Sequence, residues 1–245
     1  MADHVLRVLS LCRAYGERAN PVRALTDVSF DVARGSFVVV MGPSGSGKST
    51  LLRCASGLDR PTSGAVLFGD TDLTGLSEVE LTELRRRRIG FVFQEYNLLP
   101  ALTVEQNIAL PRHLAGDEPR KEELDTVLSW VSLRELRHRR PSELSGGQRQ
   151  RAAIARALVT EPDIVFADEP TGALDSGSSD DVLRLLRWMA DERERGIVMV
   201  THDPVAAAFG DRVLFLADGR LVDVVETPTA ELAAERMARL ESREA

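Results

Sequence analysis

Four short apolar runs along the chain each end on a residue capable of chemistry. They are Phe37 to Met41 before Gly42, Ile89 to Phe93 before Gln94, Ile164 to Ala167 before Asp168-Glu169, and Ile197 to Val200 before Thr201-His202. Uninterrupted apolar runs of this length, alternating with helical patterns, are how the buried strands of a parallel sheet read. In an open α/β sheet ligands bind outside the carboxyl ends of the strands, so the four tips are expected to converge on one ligand. Nearer the amino terminus, Val5 to Leu11 and Val28 to Val32 predict strands of a smaller antiparallel layer. Val213 to Ala217, the turn Asp218-Gly219 and Leu221 to Val225 predict a closing hairpin. Between Tyr96 and Leu158 the pattern is mainly helical, which predicts an inserted helical subdomain over about 96–158. Pro228 and the Leu232, Met237, Leu240 spacing predict a short terminal helix over about 228–242, and the whole of 1–245 is expected to be one domain.

The first tip is the most informative. Gly42-Pro43-Ser44-Gly45-Ser46-Gly47-Lys48-Ser49-Thr50 fits the phosphate-loop pattern G-x-x-x-x-G-K-[ST] directly after a strand. The glycines let the backbone curl so that several N–H groups point inward. Lys48 supplies a mobile positive charge for the β- and γ-phosphates, and Ser49 offers a hydroxyl to Mg²⁺. A helix starting near Ser49 adds its positive end to the same anion. Only Lys48 and Lys121 are lysines, every other basic side chain being arginine, and the site needs a compact ammonium on a flexible stem. The alternative, a chance Gly/Ser turn, is a poor account of so complete a match.

At the third tip, Asp168 can hold Mg²⁺ while Glu169 orients and polarises a water for in-line attack on the γ-phosphate. Alone, an acidic pair at a strand end could equally face solvent; downstream of a phosphate loop the functional reading prevails. Leu144-Ser145-Gly146-Gly147-Gln148 is a further signal: Ser145 can cap a helix over Gln148 to Leu158, and the two glycines leave amino-terminal N–H groups bare for an anion. An ordinary capped helix is the plainer alternative, since one chain with a complete phosphate loop does not need a second anion site.

Composition narrows the classes. The formal charge is −7, from 31 basic and 38 acidic residues, which argues against nucleic acid as a partner. Arg85 to Arg88 is expected to be a solvated charge run, and Trp130 and Trp188 core or rim residues. Two cysteines, Cys12 and Cys54, offer no disulfide framework, which fits a reducing compartment. No apolar run reaches the ~18 residues of a membrane span, so a cytoplasmic protein is expected, acting at a membrane only through a partner.

Together these motifs resemble the ATP-binding-cassette ATPases, over roughly Val5 to Val225. Gly42 to Thr50 is similar to that family's first Walker motif, Gln94 to the Q-loop residue, Leu144 to Gln148 to the signature, and Ile164 to Glu169 to the second Walker motif. Ala173-Leu174-Asp175 resembles the D-loop, His202 the switch histidine, and Tyr15 the aromatic residue that stacks on adenine. The resemblance implies a P-loop NTPase core of RecA-like α/β type with an antiparallel β-subdomain and a helical insertion. It implies ATP and Mg²⁺, with Ser49, Gln94 and Asp168 as metal contacts and Glu169, His202 and Gln94 in catalysis. It also implies a head-to-tail dimer in which Ser145 and its neighbours cover the partner's ATP, and a transmembrane permease that holds the subunit on the inner face of the membrane. Ile89 to Pro111, Gly57 to Gly64 and Pro170 to Asp175 look closest to the ATPases of lipoprotein-release, macrolide-efflux and antimicrobial-peptide-resistance systems. Ala173 departs from the Asn common there. The short stretch after the hairpin is expected to lack the regulatory domain of sugar importers. A cassette ATPase without a permease, serving DNA repair or translation, is disfavoured because there is no long coiled-coil insertion, second cassette or basic excess.

Overall fold

The computed structural model describes residues 4–16 and 21–244. In chain order these form β1 (His4–Tyr15), β2 (Val22–Ala33), β3 (Phe37–Met41), α1 (Lys48–Ala55), β4 (Ser63–Phe68), β5 (Thr71–Asp72), α2 (Glu78–Arg88) and β6 (Ile89–Phe93). There follow α3 (Val104–Leu114), α4 (Lys121–Trp130), α5 (Gly146–Leu158), β7 (Ile164–Asp168), α6 (Ser176–Arg193), β8 (Gly196–Val200), α7 (Pro204–Ala207), β9 (Arg212–Ala217), β10 (Arg220–Glu226) and α8 (Ala230–Glu244).

Two sheets result. One runs β2-β1-β4-β5 and is antiparallel; the other runs β10-β9-β3-β8-β7-β6, parallel except for β10 at its edge. All five residues of β3 and all five of β8 are buried, as continuous apolar strands require when both faces are covered. Side chains alternate across β3. Phe37, Val39 and Met41 join the apolar cluster built with α3 to α6, while Val38 and Val40 join the cluster built with α1 and the antiparallel sheet. The parallel sheet is therefore a middle layer, and its carboxyl edge carries the four polar tips side by side.

Several boundaries differ from the sequence pattern. The strands near the amino terminus extend to His4–Tyr15 and Val22–Ala33, and β1 is broken by register shifts that blur its alternation. The signature helix starts at Gly146 rather than Gln148, because Ser145 caps it from outside and its first turn includes both glycines. The terminal helix covers Ala230–Glu244 instead of 228–242; Thr229 caps it, its hydroxyl accepting from the Leu232 N–H at 3.2 Å. Trp130 and Trp188 pack on each other, ring centroids 5.6 Å apart, between α4 and α6. The arginine run is not simply solvated: Arg88 pairs with Asp163 at 2.7 Å and lies over the Phe68 ring, and Arg85 donates to the Gly57 carbonyl.

Candidate nucleotide site

The phosphate loop is fixed by contacts that exclude side chains. Gly42 has φ +155°, and a Cβ there would lie 2.0 Å from the Leu216 carbonyl oxygen; at Gly47, φ +103°, it would lie 2.4 Å from that of Ala24. Neither position accepts an L side chain without moving backbone. At Gly45, by contrast, a Cβ would meet nothing within 4 Å, so this part of the loop faces open space. The Ser46 hydroxyl is buried and has no hydrogen-bond partner, which leaves a polar group for a ligand to satisfy. Lys48 Nζ donates to the carbonyls of Gly42 and Pro43, both at 2.7 Å, which holds the ammonium over the loop. Ser49 is exposed in the first turn of α1.

The carboxylates come from β7, two strands away. Asp168 ends β7; burial raises the pKa of its carboxyl, the Glu169 charge raises it further, and Lys48 opposes both. That Lys48 acts on Asp168 at all joins the two Walker-like segments electrostatically. Glu169 sits in the left-handed region at φ 46°, a conformation that costs a non-glycine residue of order 1–3 kcal/mol and persists only where its surroundings impose it. Here its N–H donates to the Val200 carbonyl at 2.9 Å. Its Oε1 lies 2.9 Å from His202 Nδ1, and its Oε2 accepts from the buried Thr201 hydroxyl at 3.3 Å. Gln94, at the tip of β6, packs against Gly172, where a Cβ would be 3.0 Å from Gln94 Nε2. The Gly172 N–H in turn donates to the Glu169 carbonyl.

The loop, Gln94, Asp168, Glu169 and His202 thus share the carboxyl edge of adjacent strands. The hydroxyl of Ser49, the amide oxygen of Gln94 and the carboxylate of Asp168 are the oxygen donors a hard cation such as Mg²⁺ takes. The signature residues lie elsewhere. Ser145 accepts from the Gln148 N–H at 3.3 Å and Gln148 Oε1 accepts from the Ser145 N–H at 2.9 Å, a reciprocal cap, while Leu144 is buried. The atoms nearest Gly146 and Gly147 belong to Tyr96, Ala173, Leu174 and Ser178, not to the phosphate loop. Asp175 caps α6, accepting from the N–H and hydroxyl of Ser178, each at 2.9 Å. Tyr15 projects from the antiparallel sheet, its hydroxyl 2.7 Å from Asp59 Oδ2 and its ring under the Arg13 guanidinium at 4.3 Å.

The family model described as ABC transporter matches residues 25–172. The chain belongs to the ABC transporter family. Its relatives include the bacitracin export ATP-binding protein BceA of Halalkalibacterium halodurans, 44% identical over 220 residues, 89% of this chain and 87% of the relative. The macrolide export ATP-binding/permease protein MacB of Marinobacter nauticus is 42% identical over 232 residues, 93% of this chain and 36% of that longer protein. Among solved structures, the ATP-binding cassette MJ0796, dimeric in a post-hydrolysis state with ADP and Pi, superposes with a TM-score of 0.82 at 37% identity, covering 91% of this chain and 98% of that one. Its sequence, from Methanocaldococcus jannaschii, is 42% identical over 224 residues, 89% of this chain and 95% of its own. The cassette is accordingly an ATP-binding and ATP-hydrolysing subunit of a membrane transporter, with the P-loop NTPase fold. Gly172 supports the site without a signal in the sequence, and Thr201, although it stands at a strand tip, gives no sign there that its hydroxyl holds Glu169. Both are contacts across the chain that no local pattern announces.

Proposed function

We propose that the cassette powers export or release through a partner permease, working as one half of a head-to-tail dimer on the inner face of the membrane. No helix among the described residues is long and apolar enough to cross a membrane, so attachment rests on the permease. A groove of about 340 Å³, lined by Leu58, Ile89, Phe91, Phe93, Pro111 and Arg156, offers an apolar seat beside the Gln94 strand for a cytoplasmic permease helix.

The reading is carried by one observation: Lys48, Asp168, Glu169 and His202 gather at neighbouring strand tips, while the capped signature segment packs apart from them. A second copy facing head to tail supplies Leu144 to Gln148 and Asp175 to the ATP held by the first. Lys48 and the amides of Gly42 to Thr50 bind the phosphates, and Tyr15 receives the adenine. Ser49, Gln94 and Asp168 hold Mg²⁺, which when bound offsets charge on the β- and γ-phosphate oxygens. Glu169, held by His202 and Thr201, accepts a hydrogen bond from a water in line with the γ-phosphorus. The water oxygen forms its bond to phosphorus as the bridge to the β-phosphate breaks, giving ADP and phosphate.

The test is Glu169→Gln, which keeps shape and removes charge. Turnover should fall by about 10²–10⁴, and the variant should elute as an ATP-bound dimer in size-exclusion chromatography. Near-normal hydrolysis by purified Glu169→Gln protein would refute the assignment.

A further inference from the structure

The loop that follows Gln94 is tied to the signature helix, mainly by one arginine. Tyr96 and Asn97 are consecutive left-handed residues, each at φ 52°, a backbone that needs an external hold. Arg156, in α5, provides it: one guanidinium nitrogen donates to the Tyr96 carbonyl at 2.9 Å and the other to that of Asn97. The guanidinium is half-buried, and burial lowers its pKa. No carboxylate among the described residues pairs with it, so its charge is spent on these two carbonyls. The same helix reaches the segment at three other points. Gln150 Nε2 donates to the Phe93 carbonyl at 3.4 Å, the Arg149 guanidinium lies 5.2 Å from the Tyr96 ring centre, and the Tyr96 hydroxyl abuts Gly146. Residues on both sides of Gln94 are thereby fastened to the helix that Ser145 caps.

We infer that Arg156 is a positioning residue that makes the Gln94 loop and the signature helix one body. Contact of Gln94 with the nucleotide in its own chain then sets where Ser145 to Gln148 stand for the partner's ATP. This rests on the reading of Gln94 as a contact to the metal and γ-phosphate. Both carbonyls are taken by a single planar fork, so lysine, a point charge, cannot replace it.

The experiment compares wild type, Gln94→Ala, Arg156→Met, Arg156→Lys and the double variant Gln94→Ala/Arg156→Met. ATP turnover, the Mg²⁺ concentration for half-maximal turnover and ATP affinity are measured. ATP-driven dimerisation of Arg156→Met is followed in the Glu169→Gln background. Arg156→Met and Arg156→Lys should each lower turnover about tenfold, a loss typical of a misplaced catalytic contact, and raise the Mg²⁺ requirement about tenfold, with ATP affinity within about twofold of wild type. Dimerisation should require correspondingly more ATP. In the Gln94→Ala background Arg156→Met should add less than about a twofold loss, because the contact it positions is gone. If Gln94→Ala turns over like wild type, the role given to Gln94 fails and the inference falls with it. If Gln94→Ala is impaired but the Arg156→Met loss is absent or multiplies in full on top of it, Gln94 keeps its role and the inference is overturned. Should Arg156→Met fail to fold, Arg156→Lys paired with Gln94→Ala decides by the same comparison.

Discussion

Gly147→Ala probes whether the signature helix is held at its distance from α6 by direct contact. A methyl at 147 would lie 2.6 Å from the Ser178 hydroxyl and 2.8 Å from its Cβ, closer than side-chain atoms approach. The hydroxyl can turn away, at the expense of its bond to Asp175, but the Cβ cannot. Alanine gains about 0.5–1 kcal/mol over glycine in a helix, whereas overpacking of this kind costs about 1–3 kcal/mol. The net is a destabilisation of about 0.5–2 kcal/mol. Ser178→Gly alone should also destabilise, by about 1–2 kcal/mol, through helix propensity and the lost hydrogen bond to Asp175. The double variant, however, removes both clashing atoms; the next nearest is the Ser178 Cα at 3.7 Å, an ordinary contact. The two changes should therefore compensate by about 1–3 kcal/mol in a double-mutant cycle. Urea unfolding of the four proteins measures this directly. Strictly additive effects, or a Gly147→Ala protein more stable than wild type, would refute the idea that this contact spaces the two helices. Function should follow: with α5 displaced from α6, the signature and the Asp175 turn no longer present one surface, and ATP-driven dimerisation should weaken even where the monomer still binds ATP.

Two further outcomes are expected. Lys48→Ala removes a charge facing the triphosphate, so ATP affinity itself should drop by about 10–100-fold; unchanged binding in calorimetry would remove Lys48 from the phosphate ligands. Asp168→Asn should raise the thermal midpoint of the protein without nucleotide at neutral pH, while abolishing Mg²⁺-dependent turnover. The sign follows from the raised pKa of Asp168: its contribution to stability is full below the ordinary carboxylate range and is lost as pH rises through the folded value, so at neutral pH the charge is a burden that the amide lacks. The gap in midpoint between variant and wild type should close as pH falls towards 4, and a gap that widens there would reverse the account.

The parts of this molecule that a sequence displays well are those set by neighbours in the chain. The parallel strands β3, β6, β7 and β8 are short and, up to the Asp168 that ends β7, apolar because both faces are covered, and glycine or a polar tip marks where each run stops. The Ser145 cap is equally local: a hydroxyl and a glutamine three residues on satisfy each other's N–H groups, and only the helix start shifts, to Gly146. The antiparallel layer is harder. β1 carries Arg7, Ser10 and Arg13 and several register shifts, so its alternation fades after Leu11 although the strand continues to Tyr15. β4 has no clear signal in the sequence, since Ser63 and Gly64 open it like a turn.

What no local pattern carries is why particular residues hold the site. Gly147 reads as an opening for an anion, yet the atoms that a Cβ there would meet belong to Ser178, 31 positions away, and the missing side chain serves close packing as much as bare N–H groups. Tyr15 is expected to stack on adenine from its resemblance alone, and nothing near it in the chain announces that Asp59 and Arg13 orient it. Arg156 lies in a helix rich in alanine and arginine and gives no sign that it supports a strained turn some 60 positions earlier. Glu169 shows the same logic in reverse: its left-handed backbone is unfavourable taken alone, and it exists because Val200, Thr201 and His202 on the adjacent strand tip seize its N–H and both carboxylate oxygens. The chemistry is thus written in residue types along the chain, but the geometry that lets it work is enforced by contacts between segments that meet only when the parallel sheet assembles.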